Sequence, residues 1–238
     1  MKKIGCCLLV FLVGIQFASA QFETVPTELN DLSRFIRDQK VANKIYTGKK
    51  ETNVKGSPYL SDTFQKGAIV MQDSTKYKDI PLRFHIYLDE MEFKDEIDQI
   101  WAINNPEVIG FIELEKKKIV YRSYVYNRIY RQGFFIALAE GAMNLLQKPQ
   151  MIVTEAKEAA PYKDPEPAKF VSRPALHFFQ LNNKGATPIL NKKDLLAGFP
   201  DKHKELEAFI KRHKVKPNKP ETLIKLVRYY NKITDALN

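Results

Sequence analysis

The side chains of this chain that could do chemistry are four histidines, twenty-eight carboxylates and one run of alternating arginines and tyrosines. That run is Arg122, Tyr124, Tyr126, Arg128 and Tyr130. At a period of two these residues share one face if a strand extends that far. Aromatic rings offer flat apolar faces to sugars or other chains, and arginine grips carboxylate or phosphate through paired N–H groups. The competing reading is a long twisted strand whose tyrosines pack beneath helices while the arginines snorkel to solvent. Glu90 and Glu92 are the best-placed carboxylate pair. On one face of a strand they would stand roughly 5–9 Å apart, the range used for acid–base work on a glycoside. Asp95, Glu96 and Asp98 extend that acidic cluster with no apolar pocket to raise a carboxyl pKa. His85 and His177 fall in strand-like runs and read as packed rings, whereas His203 and His213 lie too far apart on one helix to share a metal. His203 and Glu207 have the i, i+4 spacing but make only two ligands. No G-x-S-x-G, Walker A or G-x-G-x-x-G pattern occurs. The sequence therefore names no catalytic set, no metal site and no cofactor.

The first twenty residues read as an address. Lys2 and Lys3 precede an apolar run from Ile4 to Ile15, and Ala18-Ser19-Ala20 has the A-x-A form of a signal-peptidase site. Export with cleavage after Ala20 follows, giving a periplasmic or secreted protein that begins at Gln21. The run is too short to span a bilayer, which takes about 20 apolar residues. Removing twenty residues from 238 leaves 218, and loss of the two leader lysines takes the formal charge from +10 to +8. Both cysteines, Cys6 and Cys7, leave with the leader, which excludes a disulfide framework and thiol catalysis. No later stretch is apolar enough for a transmembrane helix, so the mature chain reads as soluble or peripherally attached. The basic segment Lys202–Lys219 has its cations on the polar face of an amphipathic helix, and export removes it from cellular nucleic acid. Attraction to an anionic envelope component is the remaining electrostatic consequence.

The elements that would position these residues follow from periodicity. Residues 21–55 read as a helix capped at Thr27, with Leu29, Leu32, Phe35 and Ile36 at helical spacing and an end near Ala42–Lys44, followed by a linker. Residues 56–190 read as antiparallel strands. Lys66–Met71 is one, and Leu82, Phe84, Ile86 and Leu88 alternate strictly in the next. The apolar phase then flips to Met91 and Phe93, through either a two-residue turn at Asp89-Glu90 or a β-bulge. Further runs are Ile97–Ile103, Val108–Leu114, Ile119–Tyr126, Phe134–Leu138, Ala142–Leu146, Met151–Glu155, Leu176–Leu181 and Thr187–Leu190. Residues 191–238 return to helices: a short one opened by Asn191 and Asp194, then two amphipathic ones separated at Pro217–Pro220. The fold class is α+β: an antiparallel β-meander, as a curved sheet or open barrel, with an N-terminal helix and a C-terminal helical hairpin packed on it.

Several segments in order carry a resemblance: Lys55–Leu60, Phe64–Gly67, Pro81–Glu90, Gly133–Phe135, Leu138–Gly141, Leu145–Lys148, Asn191–Leu196 and Leu226–Asn231. Together they resemble a group of uncharacterised exported proteins of Bacteroidetes-type bacteria over nearly all of the mature chain. The resemblance implies an envelope location and no chemistry. The functional expectation is a non-enzymatic binding or scaffolding protein that recognises an anionic envelope component or a saccharide through the Arg122–Tyr130 stripe. The alternative is a hydrolase of envelope glycans working through Glu90 and Glu92.

Overall fold

The computed structural model describes Leu32 and residues 42–44, 54–95, 97–103, 105–159, 164–182 and 184–235. Its strands are β1 (Ala42–Lys44), β2 (Gln65–Met71), β3 (Lys76–His85), β4 (Glu90–Lys94), β5 (Ile100–Ile103), β6 (Ile109–Leu114), β7 (Lys117–Tyr126), β8 (Ile129–Ala139), β9 (Met143–Thr154), β10 (Lys169–Leu181) and β11 (Thr187–Pro188). The helices are α1 (Asp194–Ala197), α2 (His203–His213) and α3 (Pro220–Asp235). One antiparallel sheet holds all eleven strands in the order β1-β5-β4-β3-β2-β6-β7-β8-β9-β10-β11 and curls into a half-barrel. The meander is interrupted twice. β1 occupies the outer edge of β5, and a 3₁₀ turn at Pro106–Val108 carries the chain across to place β6 beside β2. Among the described residues no helix is long and apolar enough to cross a membrane.

Turn chemistry sets the registers. Glu115-Lys116 and Asn127-Arg128 are two-residue turns with both φ positive, the twist that suits a tight hairpin. Tyr126 therefore faces Ile129 across the second turn, and Val125 faces Tyr130. The β3–β4 connection is neither a two-residue turn nor a bulge. β3 ends at His85, residues 86–89 make the turn with Asp89 at φ 58°, and Leu82 pairs with Phe93 and Phe84 with Met91. Leu82 and Phe84 are buried as their alternation requires, while Ile86 and Leu88 sit in the turn and Leu88 is exposed. The separate runs expected at 142–146 and 151–155 are one strand, β9, which continues through Pro149.

Alternation sorts the apolar side chains into three clusters. Ile69, Leu82, Phe84, Met91, Phe93, Ile112, Ile119 and Phe134 form the first, with Leu32 inserted among them. Leu32 is helical and fully buried, and the rest of the helix expected at 27–44 lies outside the described residues except 42–44, which are β1. Along the far end of the same sheet, Met143, Leu145 and Phe179 meet Leu195, Leu206, Leu223, Leu226, Val227 and Tyr230 of the helices. Burying one face of each amphipathic helix in this way is what holds it on the sheet. Asn231 fixes the docking: it accepts from Met143 N–H (2.9 Å) and donates to the carbonyls of Met143 (2.9 Å) and Glu140 (3.2 Å). Gly141, at φ 152°, has no room for a Cβ beside that amide. The third cluster, Val120, Tyr124, Phe135, Leu146, Phe178 and Ala186, lies on the opposite face. There the sheet curls back on itself, since Ala186 bonds Ser123 C=O and Val125 N–H of β7.

Candidate functional site

β8 and β9 are hydrogen-bonded neighbours only from Ala139–Leu145 to Ile136–Gln147. Beyond that point β8 stays on β7 as far as Ile129, and β9 stays on β10 as far as Thr154. The two strands part because Pro149 has no N–H to offer the next rung. The groups of Phe134 that this rung would have satisfied are met by side chains instead. Phe134 N–H donates to the Asp89 carboxylate (3.3 Å), and the Lys148 ammonium donates to Phe134 C=O (3.0 Å). Asp89 and Lys148 close the arrangement with an ion pair at 2.5 Å. Glycine at 133 leaves room for this pair, because a Cβ there would displace the Asp89 carboxylate and the Lys148 ammonium.

The parting of the strands leaves a cleft of about 720 Å³. One wall is the β7–β8 hairpin, with Tyr121, Tyr124, Tyr126, Arg131 and Gln132. The other is the start of the β9–β10 arm, with Lys148 to Ile152, and the β3–β4 turn supplies Ile86–Asp89 at its base. Tyr124 is only 8% exposed and packs edge-on against Phe135 and Phe178, with centroids at 5.2 and 5.4 Å. Lys148 Nζ lies 5.5 Å from the Tyr124 ring centre and 4.9 Å from that of Phe135. Its side chain is 12% exposed and that of Asp89 26%. Burial pushes the Asp89 carboxyl up and the Lys148 ammonium down, and in each case the partner's charge opposes the shift. Burial also raises the Tyr124 hydroxyl, reinforced by Asp89 and opposed by Arg131, which hydrogen bonds it.

The expected stripe does not form one face. Tyr124 and Tyr126 line the cleft together, but the strand ends at Tyr126 and Arg128 is the second residue of the turn. Tyr130 pairs with Val125 and so points to the opposite face, 66% exposed. Arg122 lies outside the cleft and donates to Tyr121 C=O at 2.8 Å. The cation that joins the two tyrosines is Arg131, across from Tyr124 in the ladder. The sequence stripe missed it because the hairpin reverses the phase of alternation at 127–128. Asp89, Gly133 and Lys148 were missed as a set; their one local signal was Pro149, in the break between the runs expected at 142–146 and 151–155.

The carboxylate pair has a different fate. Glu92, 3% exposed, accepts from Arg83 Nη2 at 2.6 Å and Nε at 3.0 Å. Arg83 itself lies between the rings of Tyr59 (3.7 Å) and Phe64 (4.2 Å). Burial raises Glu90, helped by the charges of Glu92 and Asp89. His85 accepts Leu88 N–H on Nδ1 (3.1 Å), and burial with the Arg83 charge lowers its pKa to about 4. A second cavity of about 610 Å³ near β2, β6 and β7 is rich in lysine, and Lys76 and Lys117 there already pair with Glu113 (2.7 Å) and Glu115 (2.9 Å). Among the described residues no three His, Cys, Asp or Glu side chains gather as metal ligands would. The chain matches no known protein family, no characterised protein and no solved structure.

Proposed function

We propose that the protein is exported to the bacterial envelope through its first twenty residues and acts there as a non-enzymatic binding or scaffolding protein, with the β8–β9 cleft as its ligand site. The opening of the ladder at Lys148-Pro149 carries this reading, because it yields an open, tyrosine-walled cleft whose charged side chains already have partners. Asp89 is matched by Lys148, and Tyr124 by Arg131. Acid–base catalysis wants a group free to take or give a proton at the substrate, whereas tyrosine rings beside an arginine suit recognition of an anionic or saccharide ligand. The glycan-hydrolase alternative has less behind it, since Glu92 is buried and engaged twice by Arg83.

Two measurements test the proposal. Expressed in a bacterial host, the protein should appear in the periplasm with a mass beginning at Gln21; retention of Met1 in the cytoplasm refutes export. In amide NMR titrations with an acidic oligosaccharide and an acidic peptide, at least one probe should shift the amides around Tyr126, Arg131 and Met151. Tyr126→Ala and Arg131→Gln should each weaken that binding by about fivefold or more, the loss of roughly 1 kcal/mol. Glu90→Gln with Glu92→Gln should leave it unchanged. Cleavage of the oligosaccharide that disappears in the glutamine variants would establish the hydrolase instead.

A further inference from the structure

We infer that the cleft takes an acidic segment of another polypeptide in extended conformation, added as a strand along the free edge of β8; this rests on the cleft being the binding site. The polarity of the backbone carries it. Phe134 turns its N–H and C=O away from β7, toward Asp89 and Lys148. Strand alternation then turns the N–H and C=O of Gln132 and Tyr130 the same way. The opposite side of the ladder agrees, because Ser123 C=O and Val125 N–H, across from Gln132 and Tyr130, bond Ala186 and not β8. On β9 the same logic turns Met151 and Val153 toward the cleft, since Val153's partner Phe170 gives its N–H to Lys55 on the far side of β10. Both walls thus carry main-chain donors and acceptors that no described residue satisfies, repeating every second residue.

A repeat of about 6.6–6.8 Å is the spacing of an extended polypeptide, which can answer each donor and acceptor in turn. Free edges of this kind are templates for strand addition, and folded proteins normally block them. Here Pro149 and the Asp89–Lys148 plug prevent β9 from zipping onto the edge, so no described strand pairs with it beyond Phe134. Charge selects the partner. Arg131 lines the cleft and Arg128 stands at the hairpin tip, neither in an ion pair with a described carboxylate. On the cleft face Ile129 and Arg131 alternate, which fits a strand that alternates apolar and acidic side chains. The same cations, with the formal charge of +8 that remains once the two leader lysines are removed from +10, oppose pairing of this edge with that of a second copy.

The test uses an acetylated nonapeptide of alternating valine and glutamate, its valine–lysine counterpart, and the acidic peptide N-methylated at alternate amides. Oligogalacturonate serves as the saccharide probe. The acidic peptide should slow exchange of the Tyr130 and Gln132 amide protons. N-methylation, which leaves the protein untouched, should weaken binding about tenfold or more by removing two or more hydrogen bonds of about 1 kcal/mol each. The lysine peptide and Arg131→Gln should each weaken it about fivefold or more. Equal binding of the N-methylated peptide, or an unprotected Gln132 amide, overturns strand addition. If oligogalacturonate shifts the Tyr126 and Met151 amides and the acidic peptide does not, strand addition falls and the cleft stands as a saccharide site. If neither probe moves a cleft amide, both readings fall. Self-association that protects Tyr130 and Gln132 at high protein concentration would replace the peptide by a second copy.

Discussion

Gly133→Ala is the most searching perturbation of the β8–β9 junction. Gly133 has ordinary strand backbone, so alanine brings no conformational penalty of its own; its methyl group would simply occupy the space of the Asp89 carboxylate and the Lys148 ammonium. Three interactions must give way: the ion pair, the Phe134 N–H bond to Asp89 and the Lys148 bond to Phe134 C=O. Breaking a well-buried ion pair costs about 3–5 kcal/mol, and the side chains here, 12% and 26% exposed, recover some hydration. A loss of about 2–4 kcal/mol is expected. For a chain of this size that lowers the melting temperature by roughly 5–12 °C. Asp89→Gly removes the same carboxylate by another route and relaxes the positive φ at that position, so it should cost about 1–3 kcal/mol. Once the carboxylate is absent, Lys148 is free to swing to solvent and the alanine methyl meets no fixed obstacle. The double variant should therefore be little worse than the poorer single, with a coupling of about 2 kcal/mol in urea denaturation. Single-variant costs that add to within about 0.5 kcal/mol would refute the view that one ion pair links the two sites.

Three further perturbations probe the rest of the frame. His85 has a pKa of about 4 when folded against 6.5 as a free group, so it is neutral in both states above 6.5 and the unfolded chain gains a proton first as pH falls. Stability should drop by up to about 3 kcal/mol between pH 6.5 and 4, and His85→Gln should flatten that part of the urea-midpoint profile; an unchanged slope refutes the assignment. Arg83→Met leaves the Glu92 carboxylate buried without its partner and should cost about 3 kcal/mol or more, most of it recovered in Arg83→Met with Glu92→Leu; a single-variant cost under about 1 kcal/mol in the same assay refutes a buried pair. Asn231→Ala removes three hydrogen bonds to Glu140 and Met143 and should cost about 2–4 kcal/mol, with faster amide exchange at Met143; unaltered Met143 exchange would show that α3 docks without it.

Local signals carried far in this chain where one face of an element is buried. Lys66–Met71 and the pair Leu82 and Phe84 are legible because a strand on a core must alternate, and Leu206, Leu223, Leu226, Val227 and Tyr230 because a docked helix must carry a stripe. Reading failed where a turn changed phase without glycine. Asn127-Arg128 adopts two left-handed residues in a row, and the alternation that continued through it on paper sent Tyr130 to the wrong face. Ile86 and Leu88 extended the pattern of Leu82 and Phe84 by two residues into a four-residue turn for the same reason. The Asp89–Lys148 pair had no local signature, since its members are 59 residues apart and meet only because the β3–β4 turn and β9 both reach the side of Phe134 that faces away from β7.

The ion pair and the open edge are one feature seen from two sides. A backbone rung at Phe134 would use neutral groups, need no glycine at 133 and draw β9 onto β8. The chain instead has proline where the rung would continue and two charged side chains where it stops. Two partly buried charges are a poor choice if stability alone were at stake, because apolar replacements of such pairs are often as stable. They do something a rung does not: they satisfy Phe134 completely while ending the ladder there. Satisfaction without propagation leaves the next backbone groups, those of Gln132 and Tyr130, turned outward beside Arg131 and the tyrosines. A site whose hydrogen-bonding groups are fixed by a sheet is ordered before its ligand arrives, so less ordering remains to oppose binding. The stability cost localised at Gly133, Asp89 and Lys148 is thus the physical condition for a rigid strand edge that no described residue pairs.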